Sequence, residues 1–281
     1  MPQQASMQSR RAELISSREN RWLKKFRAAL KSGPADDGAI GVEGVHLVQE
    51  ALRSGLAIEA VLVSAAGERH LGRLSPRLTR EVQLLRTSDR LFDSVSGTET
   101  PQGIAALVRP RETGFDDLLS TGTPLVVVLV GVQDPGNVGT IVRSAEAFGA
   151  TGVVAARGTA QPFSPKALRS SAGSALRLPI VSGIAPAVMM AQLRVAGLQL
   201  FAASSAQTEG AIHPSSANFT EPCALFIGNE GAGLPAEVER SADVRVRIPL
   251  ASPVESLNAA VAAAVLLYEA ARQRSTGVVP R

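Results

Sequence analysis

The sequence predicts an α/β protein whose C-terminal half is built on a parallel sheet. Residues 125–130 form a continuous apolar run, LVVVLV, which is typical of a parallel strand covered on both faces. Further strand candidates follow at residues 152–155, 198–202, 224–228 and 244–248, with helical stretches between them. Strands that alternate with helices in this way imply a parallel α/β sheet.

The N-terminal part predicts a smaller α/β unit. A helix is expected over residues 16–30, and a strand that passes into a helix over residues 42–52. Short strands are expected at residues 60–63, 81–85 and 103–108. The unit ends near Pro110, and a polar segment follows it. We therefore predict an N-terminal domain over residues 1–110, a linker over residues 111–123 and a second domain over residues 124–281.

The composition limits the class of protein. The chain has 281 residues, 45% of them hydrophobic, which is enough for a sizeable core and about two domains. It has no apolar run of the roughly 18 residues that cross a membrane, and its polar residues 1–11 lack the apolar stretch of a secretory signal. A single cysteine, Cys223, excludes an intramolecular disulfide, and three scattered histidines predict no metal site. The expected compartment is the cytoplasm.

The positive charges of the chain are concentrated near its beginning. The net charge is only +4, but basic residues outnumber acidic ones over the first helix and the segment before it. A basic arm of this kind suits the phosphate backbone of a nucleic acid, although a solvated helix face has the same pattern. The candidates for RNA binding are Arg21, Lys24, Lys25 and Arg27. Aromatic residues make up 4% of the chain, which argues against a base-stacking platform.

Three short motifs in the second half each begin where a predicted strand ends. They are residues 134–140 (DPGNVGT), 227–233 (IGNEGAG) and 248–258 (IPLASPVESLN). Small ligands bind just beyond the carboxyl ends of the strands in open α/β sheets. We therefore expect the three motifs to converge on one site.

The first motif opens a helix. Asn137 lies at the start of this helix, and Arg143 lies off its apolar stripe, about one turn further along. A helix N-terminus beside a guanidinium group is a good place for a phosphate or a developing alkoxide. A surface arginine and a capping asparagine are the alternative interpretation.

The second motif has three glycines in the six residues 228–233, so its backbone can turn sharply and approach a ligand closely. It lacks the Gly-Lys-Ser/Thr ending of a P-loop, and it is not the GxGxxG sequence that follows the first strand of a dinucleotide-binding fold. What remains is a pocket lined by backbone atoms with one carboxylate, Glu230. A plain glycine-rich turn is the alternative.

The third motif leads into a long, alanine-rich helix expected over residues 256–274. Ser252 and Glu255 have the spacing of a capping box, with Pro253 at the first helical position. Capping does not explain Ser256 and Asn258, which are poor helix formers and therefore suggest a site. An apolar face is expected to pack into a core or against a partner subunit, and it consists of Leu257, Val261, Ala264, Val265 and Tyr268.

These motifs, in this order and spacing, resemble those of the SpoU (TrmH-like) RNA methyltransferases of the SPOUT superfamily. The resemblance extends from residue 124 to about residue 273, and includes the segment 166–173 (KALRSSAG). More loosely, the N-terminal domain is similar to the L30e-like substrate-binding domain of that family, on residues 42–44, 49–52 and 100–103. The resemblance implies an α/β fold with a deep C-terminal trefoil knot, and a homodimer with its site near the interface.

The resemblance also implies the activity. It is the transfer of a methyl group from S-adenosylmethionine to a ribose 2′-hydroxyl of RNA, without a metal, with ribosomal RNA of the 23S type favoured over tRNA. The catalytic positions carried over are Asn137, Arg143, Glu230, Ser256 and Asn258. The cofactor-binding positions are Gly228, Asn229, Ile248, Leu250 and Leu257. Leu250 stands where the family often has Met, and Ala251-Ser-Pro253 stands where a glycine is common.

Two other functions are compatible with the motifs. A SPOUT enzyme that methylates a base is the second candidate, and the combination of Asn137, Arg143 and residues 256–258 favours ribose over it. An RNA-binding relative without catalytic activity is the third, and the presence of Arg143, Glu230 and Asn258 argues against it.

Overall fold

A computed structural model describes residues 12–74, 77–120, 122–204 and 210–275. They form two compact units. The first extends to Glu112 and includes the later segment Phe163–Leu176, and the second contains Thr113–Pro162 and the chain from Arg177 onward. The start of the predicted basic arm, residues 1–11, lies outside the described residues.

The elements are numbered in chain order. Among the described residues the strands are β1 Glu13–Ile15, β2 Ile40–Glu43, β3 Ala57–Ser64, β4 Gln83–Thr87, β5 Ile104–Arg109, β6 Leu125–Leu129, β7 Gly152–Ala155, β8 Ile180–Ser182, β9 Gln199–Ser204, β10 Cys223–Ile227 and β11 Val244–Arg247. The α-helices are α1 Arg21–Lys31, α2 Val45–Arg53, α3 Glu68–Leu74, α4 Asp89–Val95, α5 Pro135–Ala147, α6 Pro165–Ser170, α7 Pro186–Val195, α8 Ala236–Ser241 and α9 Ala259–Ser275. No helix among the described residues is both long and apolar enough to span a membrane.

The first unit contains a mixed sheet with the strand order β1-β4-β3-β5-β2. Strand β4 pairs in parallel with β1 and β3, and β5 pairs antiparallel with β2 and β3. Helix α1 covers this sheet with a buried face that includes Leu23, Phe26 and Leu30. The hydrophobic residues of the predicted strands therefore form the core of this unit.

The predicted helix over residues 16–30 begins later than expected. The side chain of Asn20 caps α1 by accepting a hydrogen bond of 2.8 Å from the amide of Trp22. The residues before this cap form the three-residue strand β1. A segment of three residues is too short for the alternation of apolar and polar residues to predict a strand. Ile15 is buried there and Leu14 is 76% exposed.

Two of the three segments on which the N-terminal resemblance is based, residues 42–44 and 100–103, hold one end of the first unit together. Glu43 is buried, and its carboxylate accepts hydrogen bonds from Ser96 Oγ at 2.6 Å, Thr98 Oγ1 at 2.7 Å and the Gly97 amide at 2.9 Å. Gln102 Oε1 accepts a hydrogen bond of 2.9 Å from the amide of Val45, the first residue of α2. These contacts fix the turns that follow β2 and precede β5.

The second unit is the predicted parallel sheet, with six strands in the order β11-β9-β10-β6-β7-β8. All five neighbouring pairs are parallel. The chain runs outward from β6 through β7 to β8 and then returns to the opposite side of β6. The strand order therefore reverses between β6 and β10, and ligands of open α/β sheets bind at such a point. The trefoil knot implied by the resemblance stays a prediction.

The start of α9 corrects the predicted capping box. The helix begins at Ala259, and Asn258 Oδ1 accepts hydrogen bonds from the amides of Ala260 at 2.9 Å and Val261 at 3.3 Å. Ser252 and Glu255 are exposed and lie outside the helix. Asparagine is among the strongest N-cap residues, so Asn258 replaces the predicted cap at Ser252.

Helix α9 packs on α5, but with a different face from the one predicted. The buried residues of α9 are Ala259, Ala260, Ala263, Leu266, Leu267 and Ala270. Val261, Val265 and Tyr268 are 49%, 40% and 58% exposed. The predicted apolar face is thus not part of the core of this chain, and packing against a partner subunit stays a prediction.

Candidate functional site

The site begins where β6 leads into α5. Asp134 caps this helix by accepting a hydrogen bond of 2.8 Å from the amide of Gly136, and Pro135 occupies the first turn. Val138, Ile141 and Val142 are buried. This apolar stripe anchors the helix, so the side chain of Asn137 is presented at the carboxyl end of the sheet.

The loop after β10 is closed by Asn229. Its backbone amide donates to Gly233 O at 2.9 Å, and the amide of Gly233 donates back at 3.0 Å. Its side-chain Oδ1 accepts from the amides of Gly231 at 2.9 Å and Ala232 at 3.0 Å, while Nδ2 donates to Gly131 O at 2.8 Å. Asn229 therefore shapes this loop and ties it to the end of β6.

Gly228 is required by the loop itself. A Cβ atom there would lie 2.3 Å from the carbonyl carbon of Gly233 and 2.4 Å from the amide nitrogen of Leu234. These are backbone atoms, which a side chain cannot displace cheaply. Any substitution of Gly228 thus distorts the loop, even if the residue also contacts a ligand.

Three predicted catalytic residues, one from each motif, form a hydrogen-bonded chain. Asn137 Nδ2 donates to Glu230 Oε1 at 2.8 Å, and Asn137 Oδ1 accepts from Asn258 Nδ2 at 3.0 Å. Because both ends of the Asn137 amide are engaged, its orientation is fixed. The predicted convergence of the motifs is present in this geometry.

Glu230 is surrounded by N–H donors. Besides Asn137, the amide of Asp134 donates to Oε1 at 3.3 Å and the amide of Gln133 donates to Oε2 at 3.2 Å. Partial burial raises the pKa of Glu230, but the hydrogen bonds from Asn137 and from the backbone amides outweigh it, so the pKa lies below its ordinary value of 4.5. The side chain is a carboxylate at neutral pH.

A cleft beside the hydrogen-bonded chain of Glu230, Asn137 and Asn258 is lined by all five residues predicted to bind the cofactor. The lining residues are Ala203, Ser204, Ile227, Gly228, Asn229, Glu230, Gly231, Gly233, Val246, Ile248, Leu250, Ser256, Leu257, Ala259, Ala262 and Leu266. The cleft combines the backbone of the loop after β10 with apolar side chains from the ends of β11 and the start of α9. Ser256 lies here rather than in the hydrogen-bonded chain.

A second, more open groove lies on the other side of Asn137 and Asn258. Its lining is completed by Thr140 and by residues of the exposed face of α9: Ala260, Val261, Ala264, Val265 and Tyr268. The ring of Tyr268 meets that of Phe148 edge-on, with 5.9 Å between the centroids. Asn137 and Asn258 of the hydrogen-bonded chain thus line this groove, whereas Glu230 lines the cleft.

Arg143 is the predicted catalytic residue that the structure does not bring to the others. It is exposed and lines neither the cleft nor the groove. An α-helix turns by about 100° per residue, so Arg143 projects from α5 about 120° away from Asn137. Within one chain, the site lacks the guanidinium group predicted for it.

Gln133 is a site residue that the sequence reasoning missed. Its side-chain Nε2 donates to Gly158 O at 2.7 Å and to Gly131 O at 3.3 Å, while its backbone amide holds Glu230. It thus connects the ends of β6, β7 and β10. Its position immediately before the first motif was the available signal.

The predicted RNA-binding residues of α1 are engaged to different degrees. Lys24 pairs with Glu19 at 2.7 Å, and Lys25 pairs with Glu59 at 2.6 Å and with Asp37 at 2.7 Å. The hydrogen bond from Lys25 lowers the pKa of Asp37 to about 2.

The two arginines of that set have fewer contacts. The guanidinium carbon of Arg21 lies 5.4 Å from the centroid of the Trp22 ring, and Arg27 is half-buried. The RNA-binding role of all four residues stays a prediction.

Among the described residues, no cluster of three or more His, Cys, Asp or Glu side chains is arranged to hold a metal ion. Burial raises the pKa of the Cys223 thiol to about 11, so this residue is not a nucleophile at neutral pH.

Comparison with known proteins identifies the family. Residues 124–268 match the SpoU rRNA Methylase family. The chain belongs to this family. Residues 33–106 match the MRM3-like substrate binding domain, which precedes the methylase region here.

Named rRNA methyltransferases match this chain along almost its full length. A 23S rRNA (guanosine(2553)-2′-O)-methyltransferase, RlmP, of Bacillus subtilis is 38% identical over 90% of this chain and 97% of its own. A 23S rRNA (uridine(2479)-2′-O)-methyltransferase of Streptomyces viridochromogenes is 33% identical over 95% of this chain and 94% of its own. The crystal structure of the SpoU methyltransferase AviRb of Streptomyces viridochromogenes in complex with AdoMet has a TM-score of 0.82 and 30% identity, over 92% of this chain and 99% of that one. The predicted family and fold class are confirmed.

Proposed function

We propose that this chain transfers a methyl group from S-adenosylmethionine to a ribose 2′-hydroxyl of ribosomal RNA. The observation that carries the proposal is the hydrogen-bonded chain Glu230–Asn137–Asn258 beside the cleft. It combines one residue from each motif of a family whose named relatives methylate 23S rRNA at 2′-oxygens. The two relatives modify different nucleotides of this RNA, a guanosine and a uridine.

The residues that line the cleft suit S-adenosylmethionine in their chemistry. Ile248, Leu250 and Leu257 supply apolar surface for a flat base, and the loop after β10 supplies backbone N–H and C=O groups for its polar edges. The carboxylate of Glu230 at the same cleft favours a positively charged ligand. When bound, the cofactor supplies an electrophilic methyl group on a sulfonium.

The protein contributes alignment and electrostatics. Glu230 and Asn258 hold the Asn137 amide in one orientation, so this side chain can position the ribose without reorganising. Arg143 would stabilise negative charge that develops on the 2′-oxygen. Ser256, at the cleft, would help to orient the cofactor or the ribose.

We further propose that the active enzyme is a homodimer in which Arg143 acts on the site of the partner subunit. Two features support this. Arg143 is exposed and turned away from Asn137 on its own helix, and the neighbouring face of α9 exposes Val261, Val265 and Tyr268. An apolar face of this kind suits a helix-packing interface between two copies.

The N-terminal part is proposed to bind the RNA in the cytoplasm. Residues 1–110 would act as the L30e-like substrate domain, residues 111–123 as the linker and residues 124–281 as the methyltransferase domain. The match of residues 33–106 to a substrate binding domain supports the first assignment. Residues 163–176 lie within the range assigned to the methyltransferase domain but belong to the first compact unit.

The test is methylation in vitro followed by nucleoside analysis. Purified protein is incubated with S-adenosylmethionine carrying a labelled methyl group and with either protein-free 23S rRNA or tRNA, and the RNA is digested to nucleosides. We expect a labelled 2′-O-methylnucleoside from 23S rRNA that is lost in Asn137→Ala. A labelled base would favour the base-methylating alternative, and label in tRNA alone would change the substrate. RNA binding without any methylation would identify a silent relative.

A further inference from the structure

A second basic surface, which the motifs do not include, lies on the first unit at α3 and the segment after it. Residues 68–86 contain five arginines and two glutamates, and no lysine. All five arginines are exposed, and the four other than Arg86 define the α3 arginine row: Arg69, Arg73, Arg77 and Arg80. The buried face of the same segment consists of Leu71, Leu74, Leu78 and Val82, so the arginines are free of the core.

The charges of the α3 arginine row are not neutralised. Within the described part of the chain, Arg73, Arg77 and Arg80 have no ion pair, and Arg69 donates only to the ring nitrogen Nε2 of His70, at 3.1 Å. The glutamate of α3, Glu68, is occupied by Arg86 at 2.7 Å. This contrasts with α1, where Lys24 and Lys25 are paired with carboxylates.

The row also works against the stability of its own helix. Arg69 and Arg73 are four residues apart on α3, and like charges at this spacing destabilise a helix. Burial, together with the positive charges of Arg69 and Arg73, lowers the pKa of His70, so the residue between them is neutral at physiological pH and does not add to the repulsion. A polyanion would relieve the repulsion.

We infer that the α3 arginine row is a binding surface for the phosphate backbone of the RNA substrate. A guanidinium group binds phosphate with a planar pair of N–H donors and keeps its charge at all relevant pH values, whereas lysine offers only a point charge. The row belongs to the unit that contains the match to a substrate binding domain. The inference deepens the proposed function and rests on it, because it assigns residues to the RNA contact.

Salt-dependent RNA binding tests the row. The affinity for protein-free 23S rRNA is measured by filter binding over a series of KCl concentrations, for the wild type and for Arg69→Gln with Arg73→Gln. Each lost phosphate contact lowers the slope of log K against log[salt] by about 0.7 on single strands, so we expect a slope smaller by about 1.4 and an affinity lower by roughly tenfold. Affinity for S-adenosylmethionine should be unchanged, and the melting temperature should be equal or slightly higher, because the like-charge pair is removed.

A matched control removes the same charge elsewhere. Arg240→Gln with Arg272→Gln changes two exposed arginines on helices of the second unit and should leave both slope and affinity at wild-type values. In turnover with RNA, the α3 variant should raise KM for RNA and keep kcat at saturating RNA. An equal loss in the control and the α3 variant would mean that only net charge matters, and it would overturn the inference.

The outcomes separate the inference from the proposed function. If the wild type methylates 23S rRNA but the α3 variant has an unchanged salt slope, the α3 row is a solvated surface and only the inference fails. If the wild type neither binds nor methylates RNA, the proposed function fails first. Binding to vesicles of phosphatidylcholine and phosphatidylserine tests the other source of phosphate. If the α3 variant loses vesicle binding while its affinity for RNA is unchanged, the α3 arginine row binds an anionic lipid surface and not RNA.

Discussion

Replacing Glu230 with glutamine should weaken the site by an amount that depends on pH. The carboxylate accepts three hydrogen bonds, two at Oε1 from Asn137 and Asp134 and one at Oε2 from Gln133. A glutamine oxygen can serve the first two donors, but its NH₂ group then faces the amide of Gln133, so one hydrogen bond is replaced by a contact between donors. Hydrogen bonds to charged groups contribute about 1.5–3 kcal/mol each. Because Glu230 is partly exposed, we expect a loss of about 1–2 kcal/mol at neutral pH.

The pH dependence of the stability loss tests whether the loss is caused by the negative charge of the Glu230 carboxylate. The folded-state pKa of Glu230 is lower than its ordinary value of 4.5, so its contribution to stability is present above that value and is lost as the pH falls through the folded-state pKa. Glutamine does not titrate. The difference in free energy of unfolding between wild type and Glu230→Gln should therefore be largest near neutral pH and shrink below about pH 4.5.

Urea unfolding at several pH values measures this difference, and Glu237→Gln is the matched control. Glu237 is exposed on α8, so its replacement should change stability little at any pH. In single-turnover methylation, Glu230→Gln should be slowed far more than its stability loss explains, because Asn137 loses its fixed orientation. A stability difference that stays constant from neutral pH to below pH 4, or methylation at the wild-type rate, would refute the reasoning.

Two further predictions concern arginines. Arg143→Ala should slow methylation by roughly two to three orders of magnitude with little change in cofactor affinity, and Arg143→Lys should restore little. If Arg143 acts on the partner subunit, mixing Arg143→Ala with Glu230→Gln subunits should restore about a quarter of the wild-type rate. Half of the dimers are then mixed, and each mixed dimer has one complete site out of two. If no activity is recovered, Arg143 acts in the site of its own subunit. Arg274 donates to the carbonyl oxygens of Thr123, Pro124, Phe219 and Glu221 at 2.7–3.1 Å, so Arg274→Lys should cost about 2–4 kcal/mol in urea unfolding. As a control, Arg272→Lys alters a surface ion pair with Glu269 and should cost less than about 1 kcal/mol. Equal losses of stability in the two variants would contradict the conclusion that the hydrogen bonds of Arg274 stabilise the fold.

The centre of the sheet of the second unit could be predicted because β6, β7 and β10 are buried along their whole length. Each of these strands is a continuous apolar run, and the ends of β6 and β10 locate the first two motifs. Parallel strands share one carboxyl edge, so three motifs at strand ends had to lie near one another. Strand β8 was missed because three residues, Ile180–Ser182, are too few to distinguish a strand from a loop.

The sequence predicts that the backbone of the glycine-rich loop at Gly228 approaches a ligand closely, and this stays a prediction. The structure adds a close approach within the protein itself. In the structure, a Cβ atom at Gly228 would meet Gly233 and Leu234 at 2.3–2.4 Å. Gly228→Val would therefore disturb the loop as well as any ligand, and loss of cofactor binding in that variant would not by itself place Gly228 in the pocket.

The contacts that could not be predicted join residues far apart in the chain. Lys25 was a free cation in the sequence, and its partner Glu59 lies 34 positions later. Asn258 was expected to suggest a site, but its second role as the cap of α9 depended on where the helix began. Local pattern could place these side chains on an element, whereas their partners depend on the tertiary fold.

The surroundings of Glu230 decide what this residue can do in the reaction. A general base needs a free lone pair near the proton and a pKa close to the working pH. N–H donors from Gln133, Asp134 and Asn137 engage three of the roughly four lone-pair sites of the Glu230 carboxylate, and its pKa is lowered. Glu230 is therefore a poor proton acceptor and a good positioning residue for Asn137. Under the proposed function, activation of the 2′-hydroxyl would then depend on electrostatic stabilisation of the developing oxyanion, which is the role proposed for the guanidinium group of Arg143.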